Sequence, residues 1–356
     1  MNAALDIVAG EEVIIRRRGT LGHIALNRPK AINSLTLEMV RSIASALDEF
    51  AEDPGIAAVL LTGEGERGLC AGGDIKAIQA SASKDDGWAE TFWREEYRLN
   101  AVINGYSKPY VAIMDGVTMG GGVGLSAHAS HRVVTEKTRL AMPETGIGFF
   151  PDVGASWLLS HAPGEVGTYL GLTGQMIGAA DTMLAGLADH YVATTRLEDL
   201  YAALEALPAD ASFEQVGDVI ESFEDIAPEG DLSGHKPLID RFFGESSMEA
   251  IIAGLKADES AFAADTLATL ETRSPTSLKV TLAMLRAGRQ SRDLETCLER
   301  EFGGTASTVI SHDFHEGVRA AVIDKDRNPK WQPLRLDDVG EDIVEAYLTP
   351  HVRPLF

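Results

Sequence analysis

The sequence predicts an α/β fold with several parallel strands and a mostly helical C-terminal region. Three observations predict it. "IAAVLLTG" and "KPYVAIMDG" are continuous apolar runs rich in β-branched residues, the pattern of strands buried on both faces. Each leads into a glycine-rich loop that opens a helical pattern, "EGERGLCAGGD" in one case and "MGGGVGLSAH" in the other. Repeated strand–loop–helix units point to a layered fold, in which loops at the carboxyl ends of parallel strands converge. From about Thr195 the character changes: an acidic stretch broken by Pro and Gly precedes a series of helical patterns.

Taken in order, "EEVIIRRRG" and "LGHIALNRP" are apolar-rich runs separated by Gly and Thr, and read as a hairpin. The run Arg16 to Arg18 is expected on a solvated edge or alternating face. "LTLEMVRSIASALDEFAED" places Val40, Ile43, Ala44, Leu47 and Phe50 at helical spacing. A further helix is expected from Asp74. "HRVVTEKTRLAMPE" reads as a third extended stretch. Helices are predicted in "SMEAIIAGLKA", "ESAFAADTLATLETR", "TSLKVTLAMLRAG" and "DLETCLEREFGGTASTVI". The expected division is an α/β core over residues 1–205 and a helical remainder over 206–356.

The 356 residues suit one large domain or two ordinary ones. A net charge of −23 argues against general binding to nucleic acid or to an anionic membrane, since both need a positive field. No apolar run reaches the roughly 18 residues of a membrane span. The N-terminus, "MNAALDIVAGEEVII", lacks the basic start and apolar core of a signal peptide and carries acids early. Two cysteines, Cys70 and Cys297, make no disulfide framework, so a cytoplasmic, reducing setting is expected.

Several motifs fail. "GLSAH" has His128 where a nucleophile elbow needs its second Gly, so Ser126 is expected to serve close helix packing. "GGGVG" fits neither the dinucleotide fingerprint nor the phosphate loop. His312 and His315 have a spacing that could serve a metal, but no further ligands are evident, and a structural role is expected. What survives is the pair of glycine loops together with Glu144 and Asp152 in "AMPETGIGFFPDV", two acids among almost wholly apolar or small residues. Loop amides can bind a carbonyl oxygen as it becomes negative, and a carboxylate can serve as base. Polar chemistry at an acyl carbonyl is the reading these residues support. The plainer alternative makes the acids a helix cap or ion-pair partners, with Asp152 capping the helix in "VGASWLLSH".

"LNRPKAINSL", "GLCAGGDIKAI", "MGGGVGLSAH" and "MPETGIGFFPDVG" resemble, in order, the motif set of the crotonase (enoyl-CoA hydratase/isomerase) superfamily. "REEYRLN", "SPTSLKVTL" and "HDFHEGVRAAVIDKDRNPKW" are similar to its hydrolase branch, which cleaves the thioester of 3-hydroxyisobutyryl-CoA. The resemblance implies a crotonase-like spiral of ββα units and an acyl-CoA ligand, CoA being part of the substrate, with no metal or redox cofactor. It implies oxyanion amides from Ala71 and Gly121, and a CoA border formed by Lys30, Ala31, Ile32, Ala71, Gly72, Gly73 and Asp74. Glu96, Gly121, Glu144 and Asp152 would contact substrate. Hydratases normally carry a catalytic Glu where this chain has Gly124, and commonly a Gly where it has Asp152. That pattern resembles the hydrolase, with Glu144 as base or nucleophile and Asp152 orienting substrate or water and assisting proton transfer. A hydratase or isomerase working with Glu144 alone is the alternative. A homo-oligomer fits the superfamily, whose members often form trimers or hexamers.

Overall fold

The computed structural model describes residues 5–7 and 11–356. The predicted hairpin joins β2 (Val13–Arg18) to β3 (Leu21–Leu26), with Arg18 opposite Leu21 and Gly19 at φ 61°, the left-handed conformation that a tight hairpin turn requires. β1 (Leu5–Ile7) pairs antiparallel outside β2. On the other side β3 pairs parallel with β4 (Ala58–Gly63), β4 with β5 (Tyr110–Met114), β5 with β7 (His131–Val134), and β7 with β9 (His190–Tyr191). β6 (Val117–Met119) and β8 (Arg139–Ala141) form a separate two-stranded sheet. The third extended stretch is thus two strands, β7 and β8. A turn parts them: Thr138 Oγ1 accepts from the Thr135 amide at 2.8 Å, and the Thr138 amide donates to the Thr135 carbonyl at 3.0 Å.

The chain divides into two compact units. The first comprises Met1–Gly73, Arg98–Leu140 and Ile177–Gly230, and the second Asp74–Tyr97, Ala141–Met176 and Asp231–Phe356. This interleaved division differs from the expected single boundary at 205, and the helices of the first unit give the reason. α1 (Leu37–Glu52) is capped by Thr36, whose hydroxyl accepts from the Met39 amide, and it buries Val40, Ile43, Leu47 and Phe50. α4 (Gly121–Ser126) and α7 (Ala179–Leu184) follow. Leu60, Val111 and Val133 of the sheet pack with Leu200 and Leu204 of α8 (Leu197–Glu205) and with Val216 and Ile220 of α9 (Phe213–Glu221). α9 lies beyond residue 205, yet its apolar face closes the sheet's core.

In the second unit α2 (Ile75–Ala82) begins where a helix is expected, directly after Asp74, and α3 (Trp88–Asn104) starts here and ends in the first unit. α5 (Ala155–Leu158) and α6 (Val166–Thr173) follow, then α10 (Leu232–Phe243). The four predicted C-terminal helices are present as α11 (Met248–Lys256), α12 (Ala261–Leu270), α13 (Pro275–Gly288) and α14 (Leu294–Val309). Their starts are legible because Ser247, Ser260, Ser274 and Asp293 each accept a backbone amide three residues on. α15 (His312–Val318) and α16 (Glu341–Leu348) complete the chain.

The first unit brings its two glycine loops together. Cys70 bridges Thr118: the Cys70 amide donates to the Val117 carbonyl at 3.1 Å, and the Met119 amide to the Cys70 carbonyl at 2.9 Å. A methyl group on Gly122 would stand 2.5 Å from the Cys70 carbonyl oxygen. Gly122→Ala is therefore expected to force the loops apart and to cost about 1 to 3 kcal/mol. Gly234→Ala on α10, where an added methyl meets nothing, is expected to be neutral or stabilising. Urea unfolding of the two variants checks the contrast.

Candidate active site

The expected CoA border forms one surface around the first glycine loop. Lys30 and Ala31 are exposed on a short 3-10 turn, Pro29–Ala31, and Ile32 and Asn33 follow it at φ 49° and 53°. Such angles are unfavourable for a β-branched residue and need support. The buried Asn33 side chain gives it: its oxygen accepts from the Arg28 amide at 2.8 Å, and its nitrogen donates to the Glu64 and Gly68 carbonyls at 3.1 Å. The Leu35 amide donates to the Gly72 carbonyl at 2.8 Å, so residues 30–35 run along the loop 71–73. Asp74 instead acts as the N-cap of α2, accepting from the Ala77 amide.

The amides of this loop sort differently from expectation. The Ala71 N–H donates to the Ile32 carbonyl at 2.9 Å and is engaged. Among the described residues, no acceptor lies within hydrogen-bond distance of the Gly73 or Gly121 amide. A methyl on Gly72 would lie 3.7 Å from the Gly121 nitrogen, so the two loops meet where those amides are free. The Gly73 and Gly121 amides are thus free, whereas the Ala71 amide, implied as an oxyanion donor by the family resemblance, is engaged with Ile32. Free backbone donors in close-set loops are suited to a carbonyl oxygen that gains negative charge.

The second unit holds the acids. Glu144 opens a 3-10 turn, Glu144–Ile147, and Asp152 lies eight residues on; they are 6% and 5% exposed. Glu96, on α3, is 2% exposed, which removes the helix-surface alternative for it. Burial raises the pKa of Glu144 well above the usual carboxyl range, and the neighbouring Asp152 raises it further. Burial likewise raises Glu96, with Asp152 and Glu144 adding to the effect. Asp152 is pushed up to about 7 by burial, against the opposing pull of the Tyr97 hydroxyl, which donates to its Oδ2 at 2.7 Å. Glu96 Oε1 and Glu144 Oε2 have no hydrogen-bond partner among the described residues. Buried polar atoms are almost always satisfied, so two that are not mark a place where a ligand's polar groups can bind. Behind them Trp93, Phe149 and Phe314 form an aromatic block with ring centroids 5.6 to 6.5 Å apart, and the Phe149 amide donates to the Glu144 carbonyl.

Two residues of this cluster were not among those expected from the sequence. Tyr97 stands beside Glu96 in "REEYRLN" and supplies the one side-chain donor to Asp152. Glu301 is fully buried on α14 and accepts from the Gly154 amide at 2.7 Å and the Ser156 amide at 2.8 Å. It caps α5, the role considered for Asp152, whose side chain turns to Tyr97 instead. A signal for Glu301 did exist: Leu294, Leu298, Glu301 and Thr305 make a helical stripe, and a carboxylate stands in its apolar face. Ser126 donates to the Gly122 carbonyl at 2.7 Å within α4. His312 contacts Asp313, and His315 contacts Gln79 and the Val309 carbonyl. Among the described residues no cluster of three metal-ligating side chains forms, and no helix is long and apolar enough to cross a membrane.

Raised acids carry a stability signature. Asp152 binds its proton more tightly in the folded chain than in the unfolded one. Its contribution to stability is therefore full below the ordinary Asp pKa and is lost as pH rises through about 7. A tenfold difference in proton affinity between the two states corresponds to about 1.4 kcal/mol. Asp152→Asn is thus expected to be more stable than the parent at pH 8 by roughly 1 to 3 kcal/mol, with the difference vanishing towards pH 4. Urea midpoints across this range check it; a loss of stability at every pH would contradict the assignment.

The chain matches the enoyl-CoA hydratase/isomerase family over residues 21–348. The mitochondrial 3-hydroxyisobutyryl-CoA hydrolase of Xenopus tropicalis is 43% identical over 343 residues, covering 95% of this chain and 89% of that protein. The Homo sapiens protein of the same name is 42% identical over 339 residues, covering 94% and 87%. Among solved structures, a carnitinyl-CoA dehydratase from Mycobacterium thermoresistibile superposes with a TM-score of 0.92 at 43% identity, covering 98% of this chain and 99% of that one. An enoyl-CoA hydratase from Rhodobacter sphaeroides gives 0.87 at 40%, covering 95% and 97%. On this sequence match and this fold, the chain belongs to the enoyl-CoA hydratase/isomerase family.

Proposed function

We propose that the chain hydrolyses the thioester of 3-hydroxyisobutyryl-CoA, a step of valine breakdown, releasing 3-hydroxyisobutyrate and CoA. The observation that carries the proposal is the pairing of Glu144 with Asp152 in a buried site, while Gly124 in α4 occupies the position at which a hydratase carries its second acid. The names borne by the frog and human relatives agree with it.

In this reading the Gly73 and Gly121 amides stabilise the thioester oxygen as it becomes negative. Glu144 acts in one of two ways. As general base it takes a proton from water, whose oxygen bonds to the acyl carbon as the carbon–sulfur bond breaks. As nucleophile its carboxylate oxygen bonds to that carbon and expels the CoA thiolate, and water then opens the acyl anhydride. Asp152, with a pKa near neutrality, orients the 3-hydroxyl or the water and passes the proton that the thiolate finally takes. Glu96, with its free oxygen, receives the substrate's hydroxyl. The substrate itself brings CoA, and no metal or redox cofactor takes part. We place the chain in the cytoplasm, since Cys70 and Cys297 are free thiols, whereas the vertebrate relatives are mitochondrial by name.

The names of the two solved structures favour a second reading, in which an enoyl-CoA is hydrated or isomerised by Glu144 alone. The product separates the two. With 3-hydroxyisobutyryl-CoA the wild type is expected to release thiol, and Glu144→Gln to lose at least about 10³-fold in kcat while staying folded. The acid limb of kcat/KM is expected well above the ordinary Glu range, because burial raises Glu144 and only its ionised form reacts. Absence of thiol release with consumption of crotonyl-CoA would transfer the chain to the second reading.

A further inference from the structure

Glu301 is the one acid of the cluster that the reading above leaves without a task, and its geometry is specific. Both carboxyl oxygens are occupied: Oε2 accepts from the Gly154 amide at 2.7 Å, and Oε1 accepts from the Ser156 amide at 2.8 Å and the Ser156 hydroxyl at 2.5 Å. Three donors converge on it, and they oppose the burial that pushes its pKa up to about 7. The segment it holds is the one that carries Asp152. Val153 and Gly154 stand at φ 55° and 84°, and the Ala155 amide donates to the Asp152 carbonyl at 2.8 Å. A β-branched residue at positive φ persists only where its surroundings impose it. Here the Glu301 carboxylate pins the amides on either side of Ala155.

We propose that Glu301 is a positioning residue for Asp152: it clamps the 152–156 turn so that the Asp152 carboxyl meets Tyr97, and it brings a second carboxyl beside that one. The inference rests on the hydrolase reading for its catalytic consequence. Titratable groups facing Glu301 are Asp152 from the clamped turn, Tyr97 from α3, and Cys297 one turn back on α14. Asp152 is faced by Glu96 and Tyr97 of α3, by Glu144 and by Glu301. The charged neighbour named as acting on Glu301 is Asp152, a like charge. Asp152 and Glu301 repel each other when both are ionised, so a charge on either makes the other harder to ionise.

Glu301→Gln retains the size of the side chain, removes its charge and turns one donor group towards the clamped amides. With 3-hydroxyisobutyryl-CoA as substrate, kcat is expected to fall about 10- to 100-fold with KM changed less than about threefold, and the pH limb belonging to Asp152 to move towards acid. Ser156→Ala removes one of the three donors, raises Glu301 and so weakens its charge; it is expected to move the same limb in the same direction by less. A purely structural role would lower activity without moving the limb, and an unmoved limb in both variants overturns the proposal. A second measurement needs no substrate. Urea unfolding at pH 8 of the wild type, Glu301→Gln, Asp152→Asn and the double variant forms a cycle. The Asp152→Asn effect on the folding equilibrium constant is expected to be about fivefold or more smaller in the Gln background. Additive effects overturn the proposal. If the wild type releases no CoA, the hydrolase reading falls and this cycle alone decides the role of Glu301. If Glu301→Gln does not fold, the Ser156→Ala profile decides it.

Discussion

The constraint that shapes this molecule's second unit is the burial of four carboxyl groups near one another. Glu96, Glu144, Asp152 and Glu301 are each nine-tenths buried or more, and the charged neighbours that act on Glu96, Glu144 and Glu301 are themselves carboxylates. Such a group of like charges cannot ionise together in a low-dielectric pocket. The protein has two ways to make it tolerable, and it uses both. Donors are aimed at two of the acids, the Tyr97 hydroxyl at Asp152 and the α5 amides with Ser156 at Glu301. The other two keep free oxygens, and burial holds their pKa above the usual carboxyl range. The cluster is thereby a reservoir that can release or take up one proton near neutrality, which acyl hydrolysis needs. The cost is stability, carried by the aromatic block and the helices around it.

The first unit solves a different problem with the same economy of means. A backbone amide can serve a ligand only where nothing else occupies it. Tying Cys70 to Thr118 and Leu35 to Gly72 uses up the neighbouring backbone groups and leaves the Gly73 and Gly121 amides over. Gly122 is required because a Cβ there would meet the Cys70 carbonyl oxygen at 2.5 Å, and Gly72 because its φ is 102°. Tight pairing of the loops and availability of their donors are therefore one structural fact.

Much of this was legible in the sequence, and what was not follows a physical pattern. The hairpin, the parallel strands, the glycine loops and the capped C-terminal helices are encoded within a few residues each, by alternation, apolar runs and side-chain caps. Glu144 and Asp152 stood out because acids are rare in apolar surroundings. Glu301 is far from Asp152 along the chain, and only tertiary contact makes it a cap for α5. Ala71 fits the loop motif as an oxyanion donor, but which amide stays free depends on the carbonyl of Ile32, on another segment. α9 and α10 were hidden because their region is acidic and α10 carries Pro237 within it. The interleaved units were hidden for a related reason: segments recruited to one core need not be consecutive, and only the apolar faces of α8 and α9 reveal to which core they belong.

The central claim is that the buried acids share protons near neutrality, and infrared spectroscopy reads it without substrate. The difference spectrum between wild type and Asp152→Asn, followed from about pH 4 to pH 9, isolates the protonated carboxyl stretch of this group. The band is expected to persist above pH 5 and to disappear around pH 7, in keeping with a carboxyl held at about 7. A band lost by about pH 4, as for an ordinary aspartate, would show that the acids ionise freely and would remove the physical basis assigned to the site.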